Sequence, residues 1–164
     1  MTDREFEALL IQTLPKLRRY ALSLSRRQDV ADDLVQTTVE RAVSARHRFD
    51  PDTSLDAWLF RILRNAWIDE TRRTKTRGVQ LDVTDMTEAA SFDGVRDIEA
   101  RLALSETEAA LATLSPEQQE ILRLICFDEL SYLEAAEVLG VPKGTVMSRL
   151  ARARVALAEK LGIK

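Results

Sequence analysis

At 164 residues, with 45% hydrophobic and 31% charged side chains, the chain has a globular composition, enough for one medium or two small domains. It has no long uncharged apolar run and no basic-then-apolar start, which argues against a membrane span and a signal peptide. A single cysteine rules out an internal disulfide and fits the reducing cytoplasm, and a net charge of -3 gives no overall attraction to polyanions.

Phe6, Leu9, Leu10, Leu14, Leu17, Tyr20, Ala21 and Leu24 recur at three- and four-residue steps. They predict one amphipathic helix with a kink at Pro15, or two helices with Pro15 starting the second. Asp29 reads as the N-cap of a helix through about Ala45, with Ala31, Leu34, Val35, Thr38, Val39 and Ala42 inward. Asp32 and Asp33 suit the positive end of its dipole, and Gln36, Glu40 and Arg41 face outward. Residues 46–53 are polar, broken by Pro51, and read as a loop. Ser54 or Thr53 then caps a long third helix, from Leu55 to Arg73 or a little beyond. Ala57, Trp58, Phe60, Ile62, Leu63, Ala66, Trp67 and Ile68 form its apolar side, both tryptophans as core aromatics. Its other side, Arg61, Arg64, Asn65, Asp69, Arg72 and Arg73, is polar and mostly basic.

The helical pattern stops near Lys75. Residues 76–96 read as a flexible acidic linker between two helical domains, 1–75 and 97–164. Charge follows the same division: 15 Lys and Arg face 12 Asp and Glu from Met1 to Arg77, but 2 face 8 from Gly78 to Ala112. From Thr113 to Lys164 the two are equal at 7, so both ends can present local basic faces to phosphates. Helix resumes near Asp97, with Ile98, Leu102, Leu104 and Leu111 inward. Ser115, Pro116 and Gln118 supply an N-cap, an N1 proline and an N3 partner for a helix carrying Ile121, Leu122, Leu124, Ile125 and Phe127. Cys126 reads there as a small buried hydrophobe.

Ser131 and Glu134 have capping-box spacing, and Ala135, Ala136 and Leu139 recur at helical steps before Gly140, a residue suited to a left-handed helix end. Pro142 falls at or just before a further helix, which turns Val146 and Leu150 inward. That helix carries Lys143, Thr145, Ser148, Arg149, Arg152 and Arg154 on its other faces. Two helices, a tight glycine turn and a basic second helix make a helix-turn-helix DNA reader, with Ala135 and Ala136 small enough for a steep crossing. The fold is all-α, with no strand alternation and no internal repeat.

Catalytic chemistry is missing from this pattern. The five glycines lack phosphate-loop spacing, and His47 is the only histidine, so neither a His-based metal site nor a triad can form within the chain. Asp32 and Asp33 diverge by about 100° on a helix and are no acid–base pair. No enzyme, metal or cofactor is expected.

Asp32–Gln36, the stretch Leu55–Asn65 with Asp69, Arg72 and Arg73, and the run Gly144–Arg154 together resemble a bacterial sigma factor of the extracytoplasmic-function group. The runs LPKLRRYA and ARHRFDP are similar to the branch that serves the general stress response in alphaproteobacteria. The resemblance implies a sigma region 2-like domain, a linker threading toward the polymerase channels and a region 4-like domain. It implies that Asp32, Asp33, Leu34, Val35 and Gln36 dock on the clamp coiled coil of the largest core RNA polymerase subunit, with the flap as a further contact. Arg46, His47, Arg48 and Phe49, with Asn65, Asp69, Arg72 and Arg73, would capture the downstream (−10) promoter element. Lys143, Thr145, Ser148, Arg149, Arg152 and Arg154 would read the upstream (−35) element. An anti-sigma factor wedged between the domains is also implied.

Arg149 and Arg152 lie three apart on one helix face, in reach of base edges or phosphates. Lys143, Thr145 and Ser148 suit phosphates near the helix start. Arg, His and Phe in a loop can make a pocket for an unstacked base. Met147 stands where many family members carry Arg. Two alternatives are a free-standing helix-turn-helix regulator and a sigma mimic that titrates an anti-sigma factor.

Overall fold

The computed structural model describes residues 1–76 and 106–163, and among these the regular structure is helical with no strand. Apart from Thr76, the expected linker lies outside the described residues, as do the helix start near Asp97 and Ile98, Leu102 and Leu104.

Helix α1 spans Asp3–Ser25 as one helix. Its start is fixed reciprocally: Glu5 N–H donates to Thr2 Oγ1 at 3.1 Å, and Thr2 N–H to Glu5 Oε2 at 2.9 Å. Pro15 starts no second helix, because it sits on the exposed side, where water can serve the carbonyl left without a donor. Thr13 is buried as well, unlike Leu9, and its hydroxyl lies 2.9 Å from both Leu9 O and Asp56 Oδ1. Arg26, in left-handed geometry (φ 59°), ends α1 with its N–H on Leu22 O.

Helix α2 spans Gln28–Ser44, so Arg27 rather than Asp29 occupies the N-cap position. Asp29 lies inside the first turn, where Arg27 grips its carboxylate through Nε at 3.2 Å and Nη2 at 3.1 Å. Partial desolvation works to raise the Asp29 carboxyl, but the Val30 N–H and the Arg27 guanidinium outweigh it and hold it below the usual range. Ala31, Leu34, Thr38 and Ala42 form the buried stripe of α2, and the Thr38 hydroxyl is satisfied by Leu34 O at 2.7 Å.

A short 3₁₀ turn at Arg46–Arg48 precedes α3, Leu55–Thr76. Of the two capping options Ser54 is the one used, its Oγ accepting from Ala57 N–H at 3.2 Å. Helices α1, α2 and α3 pack pairwise around Leu17, Tyr20, Leu59, Phe60 and Leu63, with Tyr20 edge-on to Phe60 at 5.3 Å. Leu59 is wholly buried although it lies outside the expected apolar side, whereas Trp58 and Trp67 are only half-buried.

In the C-terminal half, α4 is described over residues 106–112, and α5 spans Pro116–Leu122. The predicted box closes α5, with Gln118 N–H on Ser115 Oγ at 3.2 Å and Ser115 N–H on Gln118 Oε1 at 3.3 Å. The helix then widens into a π turn at Arg123–Phe127, with Asp128 N–H reaching back five residues to Arg123 O. That extra residue per turn carries Cys126 and Phe127 off the buried stripe of Ile121, Leu122 and Leu124. Both are exposed, which corrects the expectation of an inward cysteine and phenylalanine.

Helix α6 spans Tyr132–Leu139 and opens with the Ser131–Glu134 box, at 3.1 and 2.8 Å. Gly140 takes φ 68°, and Val141 N–H closes back on Ala136 O at 3.1 Å. Helix α7 spans Lys143–Leu161 with Pro142 at its N-cap, packs on α5, and buries Val146, Leu150 and Ala153. Leu63→Ala, at a wholly buried position, should cost about 2–5 kcal/mol, read as a lowered midpoint in urea unfolding with the slope unchanged.

Candidate nucleic-acid interface

Helix α7 buries one narrow stripe, with half-buried residues beside it, and exposes much of the rest of its circumference. At about 100° per residue, Val146, Leu150 and Ala153 fall together, and the polar side chains divide to either side of them. Thr145, Arg149 and Arg152 share one flank; Lys143 and Arg154 share the other. Lys143, Arg152 and Arg154 are exposed, while Thr145 and Arg149 are half-buried. Among the described residues, no ion pair holds any of these four cations. Ser148 is exposed and donates to Thr145 O at 3.2 Å, so its hydroxyl folds back on the helix with lone pairs outward. Met147, 48% exposed, and Val155 stand beside them, which the inward–outward pattern of the sequence did not single out as surface.

Further basic side chains stand on α3 and, separately, on the 3₁₀ turn before it. Asn65, Asp69, Arg72 and Arg73 are all exposed, and steps of four and three residues keep them on one side of α3. Asp69 accepts from Arg41 Nη1 of α2 at 3.3 Å, and Arg73 pairs with Glu70 at 2.9 Å. No spacing rule links Arg41 to Asp69, so its membership of this face emerges only from the packing of α2 on α3. Arg46, His47 and Arg48 are exposed, with Arg46 Nη2 3.5 Å from Asp3 Oδ2.

Phe49 departs from the expected base-stacking role. It is 7% exposed, its ring centroid 5.1 Å from Trp58 and 6.3 Å from Phe6, so it cannot meet a base without leaving this cluster. On α2, Asp32, Asp33 and Gln36 are exposed and Val35 is half-buried. Leu34 turns into the core at 4% exposure, so it anchors α2 and is not part of the exposed surface expected to dock. Asp32 stands 3.6 Å from Arg18, and Gln36 donates to Glu40 at 3.3 Å. Among the described residues, no group of His, Cys, Asp and Glu is arranged to hold a metal, and no helix is long and apolar enough to cross a membrane.

Two family models match the chain, each over one stretch of it. Residues 9–77 match sigma-70 region 2, and residues 104–157 match sigma-70 region 4. The chain is 37% identical to the ECF RNA polymerase sigma factor EcfG of Rhodopseudomonas palustris, over 93% of this chain and 82% of that protein. It is also 37% identical to the ECF sigma factor SigC of Mycobacterium tuberculosis, over 94% of this chain and 82% of that protein. Among solved structures, the sigma factor RpoE of Bartonella quintana, crystallised with the anti-sigma factor NepR, matches with a TM-score of 0.76 at 34% identity. That match covers 98% of this chain and 99% of RpoE.

Phe49→Ala should destabilise the N-terminal helices by about 3–5 kcal/mol, seen as a lower thermal midpoint. A base-stacking residue at the surface would leave that midpoint unmoved.

Proposed function

The chain belongs to the extracytoplasmic-function group of sigma-70 RNA polymerase sigma factors, and we propose how its residues divide the work of initiation. As a sigma factor it is a binding subunit for transcription initiation rather than an enzyme. In our reading residues 1–75 and 97–164 act as separate domains on a linker at 76–96. Helix α7 reads the upstream promoter element: Arg149 and Arg152 reach base edges or phosphates, and Lys143, Thr145, Ser148 and Arg154 hold the backbone. The downstream element is captured by Asn65, Asp69, Arg72 and Arg73, with Arg46, His47 and Arg48 on the adjoining turn and Phe49 holding that turn in place. The exposed Asp32, Asp33 and Gln36, with Val35, dock on the clamp coiled coil of core polymerase, and the C-terminal half meets the flap. The work takes place in the cytoplasm, where the polymerase is.

The observation that carries this reading is α7, whose four cations stand on two flanks of a helix that packs through three small or aliphatic residues. A long basic helix that only completed a core would pair its charges or bury more of its surface. RpoE of Bartonella quintana was crystallised with an anti-sigma factor, which supports a similar protein restraining this chain, in service of a stress regulon.

Run-off transcription with purified core polymerase on a library of promoter fragments tests the reading. Initiation that depends on the protein is the expected result, and the selected fragments give both promoter elements. Arg152→Ala should weaken promoter use by about 1–3 kcal/mol, and an unchanged transcript level would remove Arg152 from the contact set. Tight duplex binding without initiation would point to a free-standing regulator, and neither activity to a sigma mimic.

A further inference from the structure

We propose that Gly144 sets how deeply α7 enters the duplex: its missing side chain lets the helix backbone approach the base edges of the upstream element. This rests on the reading of α7 as the upstream-element reader.

Glycine is a poorer helix former than alanine, so a helical glycine needs a reason. Gly140 and Gly162 have one, in positive φ angles of 68° and 71° that an L side chain rarely adopts. Gly144 has neither such an angle nor a crowded neighbourhood; a Cβ built there meets nothing within 4 Å. Among the described residues, nothing calls for glycine at this position. A partner surface is where a missing side chain there would count.

The surroundings of Gly144 identify that outside surface. Stepping 100° per residue puts Gly144, Ser148, Ala151 and Val155 in one ridge opposite the packing stripe of Val146, Leu150 and Ala153. All four ridge residues are exposed, and the one hydroxyl among them is folded back onto Thr145 O. The long cationic side chains stand off the ridge, Arg149 and Arg152 on one side, Lys143 and Arg154 on the other. A helix with a low leading edge between two cationic banks complements the major groove, whose base edges lie between two phosphate walls. The groove is about 12 Å wide and a helix with side chains about 10–12 Å across, so the leading side chains limit depth. With Gly144 at the entering end, the low edge begins in the first turn of α7.

The test uses full-length Gly144→Ala and Gly144→Leu proteins with core polymerase, on a promoter with its upstream element intact and on one with that element replaced. Initiation by the wild-type protein is scored separately and tests the parent reading. For Gly144→Ala the thermal midpoint should hold or rise by a few degrees, because alanine favours the helix. Competition for core polymerase should be unchanged. Transcription from the intact promoter should fall about tenfold, the scale of one lost base contact, and further for Gly144→Leu. From the promoter with the replaced element, variants and wild type should be equal. Full transcription by Gly144→Ala would overturn the proposal. So would a lowered midpoint, which would mean that the fold needs the glycine, or lost core binding, which would mean that polymerase does.

Discussion

The left-handed residue between α6 and α7 is the constraint on which the DNA-reading half depends. Gly140 takes φ 68°, and Val141 N–H returns to Ala136 O, so α6 ends with its hydrogen bonds closed and the chain already turning. Only Val141 and Pro142 remain before α7 begins, and the proline ring holds its own φ near -64°. At the other end of α6, the reciprocal bonds of Ser131 and Glu134 prevent the helix from sliding in register. The direction of α7 therefore follows from local backbone geometry. Because of this, α7 can afford a packing stripe as lean as Val146, Leu150 and Ala153, and most of its surface stays available to a partner.

The N-terminal half meets the same demand by a different device. Two backbone bonds close the surface turn of three basic residues, Arg48 N–H on Ala45 O at 2.8 Å and Phe49 N–H on Arg46 O at 3.2 Å, but the turn still needs an anchor on the protein. Phe49 supplies it by burying its ring against Phe6 and Trp58, so that Arg46, His47 and Arg48 are displayed as a consequence of an apolar contact. On α3, Leu59, Phe60, Leu63 and Ala66 take the core side, and Asn65, Arg72 and Arg73 take the other. Asp69 would repel a phosphate from the middle of that basic side, but Arg41 meets it from α2 at 3.3 Å. An exposed pair of this kind adds little to stability. Its worth lies in fixing the Asp69 carboxylate in place and in tying α2 to α3.

What was legible in the sequence was whatever a few neighbouring residues decide among themselves. The boxes at Ser115–Gln118 and Ser131–Glu134, the glycine turn and the inward Val146 and Leu150 all depend on spacings of three, four or seven residues, and all stand as read. Phe49 was not legible as a core residue, because its partner Phe6 lies more than forty positions away and a polar loop surrounds it. Asp29 looks like an N-cap by residue type, yet the left-handed Arg26 ends α1 so abruptly that α2 starts before it. Cys126 and Phe127 fit an α-helical period, and one π turn rotates them out. The surface cations of α7 could be named from the sequence, and so could Val146 and Leu150, the inward residues that part them into two flanks.

A net charge of -3 then becomes a clue to how such a protein can be selective. Each phosphate neutralised releases counterions, so a chain with few cations per face gains little from DNA at physiological salt. If Lys143, Arg149, Arg152 and Arg154 are the cations that α7 turns to DNA, as proposed, four charges alone would not hold a random duplex for long. Two weak faces on one chain behave differently, because the first contact raises the effective concentration of the second, provided that their spacing matches the DNA. Affinity then grows only where both sequence elements occur at the right separation. Weakness of the separate parts would make such a joint site specific, whereas a strongly basic chain would lose that discrimination to every stretch of duplex it met.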